Sequence, residues 1–146
     1  MTKKTTVAAI DIGTNSIHMI IADFDEQKNI DLVHRKREVI RLGESTFGES
    51  GNLSANAMIR GLAVLRNFMA VAKNFKAIVI AGATSAVREA PNGQEFVDGV
   101  KEELGLDIEV LSGEKEAQLI YLGITKALNL QNHLTLAFDI GGGSTE

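Results

Sequence analysis

The chain has 146 residues, 45% of them apolar and 23% charged, which are ordinary values for one globular domain with a core of its own. A formal net charge of −4 gives no basic field, so general attraction to nucleic acid or to an anionic membrane is not expected, and any polyanion must be held locally. There is no cysteine, which excludes disulfides and thiolate metal sites, and no run approaches the roughly 18 apolar residues of a membrane span, so a cytoplasmic protein is expected.

Val7 to Ile12 is a short apolar run ending in Gly13-Thr14-Asn15-Ser16, and Ile17 to Phe24 is a second, which together predict strand, tight turn, strand. Ile30 to Arg41 predicts a third strand with a charged face, making an antiparallel start. After the polar stretch Leu42 to Asn52, Ser54 can cap a helix and Leu53 can staple onto Met58. Met58, Leu62, Leu65, Phe68, Met69 and Ala72 recur at helical spacing to about Asn74.

Ala77 to Ala81 is a continuous apolar run of the kind found in a strand covered on both faces. A polar loop from Gly82 to Gly93 follows. Phe96, Val97, Val100 and Leu104 predict a second helix, which Gly105 would end. Ile108 to Leu111 predicts a strand, and Ser112-Gly113 opens a third helix whose Ala117, Ile120, Ile124 and Ala127 form the inward stripe. Leu134 to Phe138 predicts a last strand. The order βββαβαβα plus one strand predicts an α/β fold with a mixed five-stranded sheet and helices on both faces.

The segments Ala9-Ile-Asp11-Ile-Gly13-Thr-Asn-Ser16 and Ala137-Phe-Asp139-Ile-Gly141-Gly-Gly-Ser144 share one pattern, as though the chain starts its fold twice. Such repetition predicts two similar domains. The first would occupy residues 1–130, and residues 131–146 would be the first strand and turn of a second, truncated one.

Glycine-rich turns let backbone N–H groups converge on an anion, and Ser or Thr hydroxyls add donors. Gly13, Thr14, Asn15 and Ser16 form one candidate phosphate cradle, and Gly141, Gly142, Gly143, Ser144 and Thr145 the other. The aspartate before each cradle, Asp11 or Asp139, cannot itself attract phosphate and is a candidate ligand of Mg2+ or an ordered water. Either turn alone could be a plain hairpin whose Gly and Asn satisfy positive φ, but two matched turns suggest a clamp around adjacent phosphates.

Asp11-Ile-Gly-Thr-Asn-Ser16, Arg41-Leu-Gly-Glu44, Ala83-Thr-Ser-Ala-Val-Arg-Glu-Ala-Pro-Asn-Gly93, Ser112-Gly-Glu-Lys-Glu-Ala117 and Asp139-Ile-Gly-Gly-Gly-Ser-Thr-Glu146 together resemble the exopolyphosphatase and guanosine pentaphosphate phosphohydrolase family in order and spacing. The resemblance implies the actin-like ATPase fold, shared with Hsp70 and sugar kinases, and a site between two domains. It implies Mg2+-dependent release of terminal phosphate from polyphosphate or from guanosine pentaphosphate. Glu116 matches the family's proposed general base, and Glu146 a second acidic residue kept after the glycine turn. The loop bearing Arg88 and Asn92 would lie at the cleft as phosphate donors, with Arg41 a weaker candidate of the same kind. The complete protein is expected to be a homodimer, and the isolated 146 residues weakly active or inactive.

Three readings stay open at this point. The leading one is a phosphohydrolase, and the alternatives are an actin-like ATPase or sugar kinase and a non-catalytic module that binds phosphates or alarmones. His34-Arg35-Lys36-Arg37 is a basic run in which alternation puts Arg35, Arg37, Val39 and Arg41 on one face. A long polyanion could follow it, although a charged edge strand that discourages aggregation is the default reading. His18 and His34 lack metal-ligand spacing and are assigned to no metal.

Overall fold

A computed structural model describes residues 4–27, 29–46, 50–128, 130 and 134–146. The first two strands, β1 (Thr5–Ile12) and β2 (Ser16–Phe24), pair antiparallel, with Ile12 opposite Ile17 and Asp11 opposite His18. β3 (Ile30–Val39) adds antiparallel to β2, placing Arg37 opposite His18 and Arg35 opposite Ile20. β4 (Ile78–Ala83) then returns parallel to β1, and the short β5 (Glu109–Val110) is parallel to β4. The sheet order is β3-β2-β1-β4-β5, so the expected mixed five-stranded sheet is present.

The helices start and stop where local chemistry requires. α1 (Ala55–Asn74) is capped by Ser54, whose hydroxyl accepts the Ala57 N–H at 3.2 Å, and α4 (Gly113–Ala127) by Ser112, which accepts the Lys115 N–H at 3.2 Å. α3 (Gly93–Leu104) ends on Gly105 in the left-handed region, with its N–H bonded to the Lys101 carbonyl.

The even-numbered positions of β1 and the odd-numbered ones of β2, including Ile10, Ile12, Ile17, Met19 and Ile21, point into one core. That core is closed by Leu65, Phe68 and Ala72 of α1 and by Phe96 and Val100 of α3. Alternation in the strands and helical spacing in α1 thus meet on one face of the sheet.

Several expectations need correction. The polar run after β4 is not all loop: Ser85–Glu89 forms a short helix, α2, that also packs on this core. Nor does β3 reach Arg41, because Ile40 and Arg41 turn their N–H groups to the Asn15 carbonyl at 3.0 and 2.9 Å instead of continuing the ladder. β4 is covered on one face only, since Ile78 and Ile80 are 60% and 56% exposed. α1, α2 and α3 all serve the single core, whereas α4 buries no residue fully.

Leu134 to Phe138, expected as a strand, forms no ladder among the described residues, and only Ile140 bridges to Thr145. An extended segment needs a neighbour to satisfy its backbone, and none is in register there. The half-buried stripe Ala117, Ile120 and Ile124 of α4 instead faces this segment, lining a shallow hollow of about 160 Å³ with Leu130, Thr135, Ala137 and Glu146. The expected domain boundary at 130–131 and part of the polar stretch Leu42 to Asn52 lie outside the described residues. Among those described, no helix is long and apolar enough to cross a membrane.

Candidate active site

The two repeated segments adopt the same turn. In the first, the Gly13 N–H donates to the Ser16 carbonyl at 3.1 Å, below the Ile12–Ile17 pair. In the second, the Gly141 N–H donates to the Ser144 carbonyl at 3.0 Å, below the Ile140–Thr145 bridge, and Asp139 and Glu146 exchange backbone hydrogen bonds of 2.9 and 3.0 Å. Asp139 therefore stands where Asp11 stands, and Glu146 where His18 stands.

Neither turn follows the plain-hairpin reading. Positive φ occurs at Arg41, Lys76, Gly51 and Gly105 among the described residues, not at Gly13, Asn15 or the three glycines of the second turn. Glycine is needed there for close approach. A Cβ on Gly143 would come within 2.7 Å of the Ser85 Oγ and 2.8 Å of the Thr14 Oγ1, and one on Gly142 would meet the Asn15 side chain. The two turns abut.

The carbonyls of the first turn are tied back into the protein. That of Asn15 accepts from Ile40 and Arg41, and that of Thr14 from Gly43 at 3.0 Å. Arg41 holds φ near 50°, a sparsely populated conformation for a residue with a side chain, while it makes this contact. Among the described residues the N–H groups of Thr14, Asn15, Gly142 and Gly143 make no hydrogen bond. Pinned carbonyls beside unused N–H groups are the arrangement that receives an anion.

Where β4 ends, Thr84 donates its N–H to the Ile12 carbonyl at 3.1 Å, and the buried Ser85 hydroxyl lies 2.8 Å from that of Thr14. One helical turn on, Arg88 projects across the site. Its Nη1 donates to the Glu116 carboxylate at 2.8 Å and to the Leu111 carbonyl at 2.9 Å, and its Nε to Glu89 at 2.8 Å. The Glu116 hydrogen bond is the main reason the guanidinium pKa is raised further. Among the described residues Arg88 Nη2 and Glu116 Oε1 make no hydrogen bond and can meet a ligand.

Asp11 has its pKa raised, chiefly by burial. The residue keeps exposed surface, yet its carboxyl is crowded enough to be desolvated. His18 opposes the rise, while Glu116 and Asp139 add to it. Asp11, Asp139 and Glu116 therefore share one electrostatic neighbourhood, which a divalent cation would relieve. Among the described residues no three acidic or histidine side chains converge closely enough to enclose a metal by themselves. That donor set fits Mg2+, which takes one or two carboxylates and completes its shell with water and phosphate oxygens.

Gly13, Thr14, Asn15, Ser16, Gly141, Gly142, Gly143, Ser144, Asp11, Asp139, Arg88 and Glu116 are brought to this locality by the turns and side-chain contacts described. Thr145 is held in the bridge beneath the second turn, and Glu146 lies against α4 in the hollow with Ala117 and Ile120. Asn92 does not join them. Its amide is spent on Leu53, accepting the Leu53 N–H at 2.8 Å and donating to the Leu53 carbonyl at 3.0 Å, so it clips the start of α1 to that of α3.

Ser85 belongs to the loop with Arg88, Thr84 and Asn92 that the sequence offers as phosphate donors, and the fold adds its contact with Thr14. Sequence reasoning missed one residue. His18 was legible, because pairing Ile12 with Ile17 across the turn puts His18 opposite Asp11, and its Nε2 lies 2.9 Å from the Ser16 hydroxyl.

Residues 20–146 match the model of the Ppx/GppA phosphatase family. The structure is similar to that of an exopolyphosphatase from Cytophaga hutchinsonii, at 33% identity and a TM-score of 0.90 over 98% of this chain and 45% of that one. It is similar to an Aquifex aeolicus PPX-GPPA enzyme at 33% identity and a TM-score of 0.88, covering 98% of this chain and 47% of the other. An exopolyphosphatase-like protein matches at 37% identity and a TM-score of 0.87, over 97% and 44% of the two chains. The chain thus spans less than half the length of each of these relatives. Their shared actin-like fold, and a family match covering most of the sequence, identify this chain as a member of the Ppx/GppA phosphatase family.

Proposed function

We propose that the whole protein is a phosphohydrolase that releases the terminal phosphate of inorganic polyphosphate, of guanosine pentaphosphate, or of both, with Mg2+ as its cofactor. The observation that carries this reading is the contact between two equivalent turns, each with unused N–H groups and each preceded by an aspartate. One turn could serve any anion. Two turns at one point suit adjacent phosphoryl groups of a phosphoanhydride.

In this reading the N–H groups of Thr14, Asn15, Gly142 and Gly143 bind and orient phosphate oxygens. Asp11 and Asp139 would hold the cation, which when bound neutralises the charge on those oxygens. Glu116, fixed by Arg88 through Oε2, keeps Oε1 to accept a proton from an attacking water, and Arg88 keeps Nη2 for a phosphate oxygen. The similarity to an exopolyphosphatase and to an exopolyphosphatase-like protein supports polyphosphate as one substrate.

The test is phosphate release by the whole protein from long polyphosphate, short polyphosphate, guanosine pentaphosphate and ATP, with Mg2+ and with a chelator. Mg2+-dependent release from one of the first three is expected. Release from ATP alone would favour an ATPase or kinase, and binding without release a non-catalytic module.

A further inference from the structure

The chain has six arginines, and they divide into two sets. Arg60, Arg66 and Arg88 pair with Glu44, Glu103 and Glu116 respectively. Among the described residues Arg35, Arg37 and Arg41 make no side-chain hydrogen bond or ion pair. These three follow one another along β3 and its exit, and all are exposed.

Alternation sorts the rest of the basic run to the opposite face. Lys36 pairs with Glu38 at 3.5 Å and lies over the Phe68 ring, while His34 packs on Phe75. One side of β3 is therefore neutralised or stacked, and the two arginines on the other have no ion-pair partner among the described residues.

That other side leads to the candidate active site. Arg37, His18 and Asp11 are consecutive partners across β3, β2 and β1, so Arg37 stands two strand spacings, about 10 Å, from Asp11. Arg35 follows one alternation further out, about 7 Å along the strand. His18, Ile20, Arg35 and Arg37 border an open hollow of about 460 Å³. Past the end of β3 the chain turns at Arg41, whose own N–H holds the first turn.

We propose that Arg35 and Arg37, with His18 beside them, form a binding track for the internal phosphates of a linear polyphosphate whose last phosphates occupy the two turns. This rests on the phosphohydrolase reading and narrows it, because a row of cations leading away from the turns suits a substrate with a continuous row of phosphates. Guanosine pentaphosphate interrupts that row with a ribose. Guanidinium groups without carboxylate partners are free to bind phosphate oxygens in bidentate fashion.

The experiment compares the whole protein with its Arg35→Gln/Arg37→Gln variant, which keeps polar side chains at exposed positions. Phosphate release is followed with long polyphosphate and with tripolyphosphate, and binding of long polyphosphate is measured separately in chelator, where no turnover occurs. The variant should raise KM for the long chain about tenfold, with kcat and the tripolyphosphate KM unchanged. The slope of log affinity for long polyphosphate against log salt should shrink by about 1.4, for two lost contacts to a flexible polyanion.

Equal affinity of both proteins for the long chain would overturn the track. So would an equal rise in KM for tripolyphosphate, or a fall in Tm with KM unchanged, which would mean the arginines have structural partners elsewhere. Tighter arginine-dependent binding of a single-stranded oligonucleotide than of polyphosphate would also overturn it. Arginine-dependent polyphosphate binding without any hydrolysis by the unaltered protein would uphold the track and remove the enzymatic reading.

Discussion

Arg88 and Glu116 meet across the end of the sheet, Nη1 to Oε2 at 2.8 Å, with side chains only 20% and 14% exposed. The same nitrogen binds the Leu111 carbonyl, so α2, the chain after β5 and the first turn of α4 are joined at one guanidinium. Glu116 also belongs to the first turn of a helix capped by Ser112, where a carboxylate complements the helix dipole. That commonplace explanation does not account for its partner or for its influence on Asp11.

Glu116→Gln retains an oxygen that can accept from Arg88 but removes the base. In the whole protein it should lower kcat by about 10²–10⁴-fold, the usual contribution of a general base, with little change in KM or Tm. Steady-state phosphate release checks this, and an unchanged kcat would remove Glu116 from the mechanism.

Arg88→Ala breaks a mostly buried charged hydrogen bond and strands the Leu111 carbonyl. A loss of about 1.5–3 kcal/mol is expected in denaturant unfolding. Arg88→Lys keeps the charge without the fork and should recover only part of it.

The raised pKa of Asp11 has a direction that can be tested. Its folded-state pKa lies above the ordinary value near 3.8, so between the two the folded protein holds more proton than the unfolded one. In metal-free buffer Asp11 therefore lowers stability progressively as pH rises through that window, and the loss is complete above it. Asp11→Asn should raise Tm at neutral pH and flatten the curve on the acid side. Mg2+ should raise the Tm of the unaltered protein more than that of the variant. A Tm at neutral pH that falls on substitution would contradict the assignment.

Gly143→Ala tests the contact between the turns. Its Cβ would crowd Ser85 and Thr14 in a segment that adds little to the core, so Tm should change little. Phosphate release should fall at least tenfold, because a displacement of about 1 Å at a reacting centre is enough to cost 10²-fold.

Much of this arrangement was legible before any coordinates. Ser54, Ser112 and Gly105 mark helix ends by local hydrogen bonding, and those signals need no tertiary knowledge. The repeat around Asp11 and Asp139 was equally plain, and its two copies fold alike because the same residues make the same short-range bonds. α2 was hidden, since five residues inside a polar run carry too little periodicity. Asn92 looked like a phosphate donor because composition does not reveal that Leu53 takes both ends of its amide. The Arg88–Glu116 pair joins residues 28 apart, a distance at which only the fold decides who meets.

The most direct measurement is a crystal structure of the whole protein carrying Glu116→Gln, grown with tripolyphosphate and Mg2+. The predicted result is a terminal phosphate and its neighbour that together engage the N–H groups of the Thr14–Asn15 and Gly142–Gly143 turns, with the cation on Asp11 and Asp139. A tripolyphosphate that engages one turn alone, or a cation held by neither aspartate, would contradict the paired phosphate site.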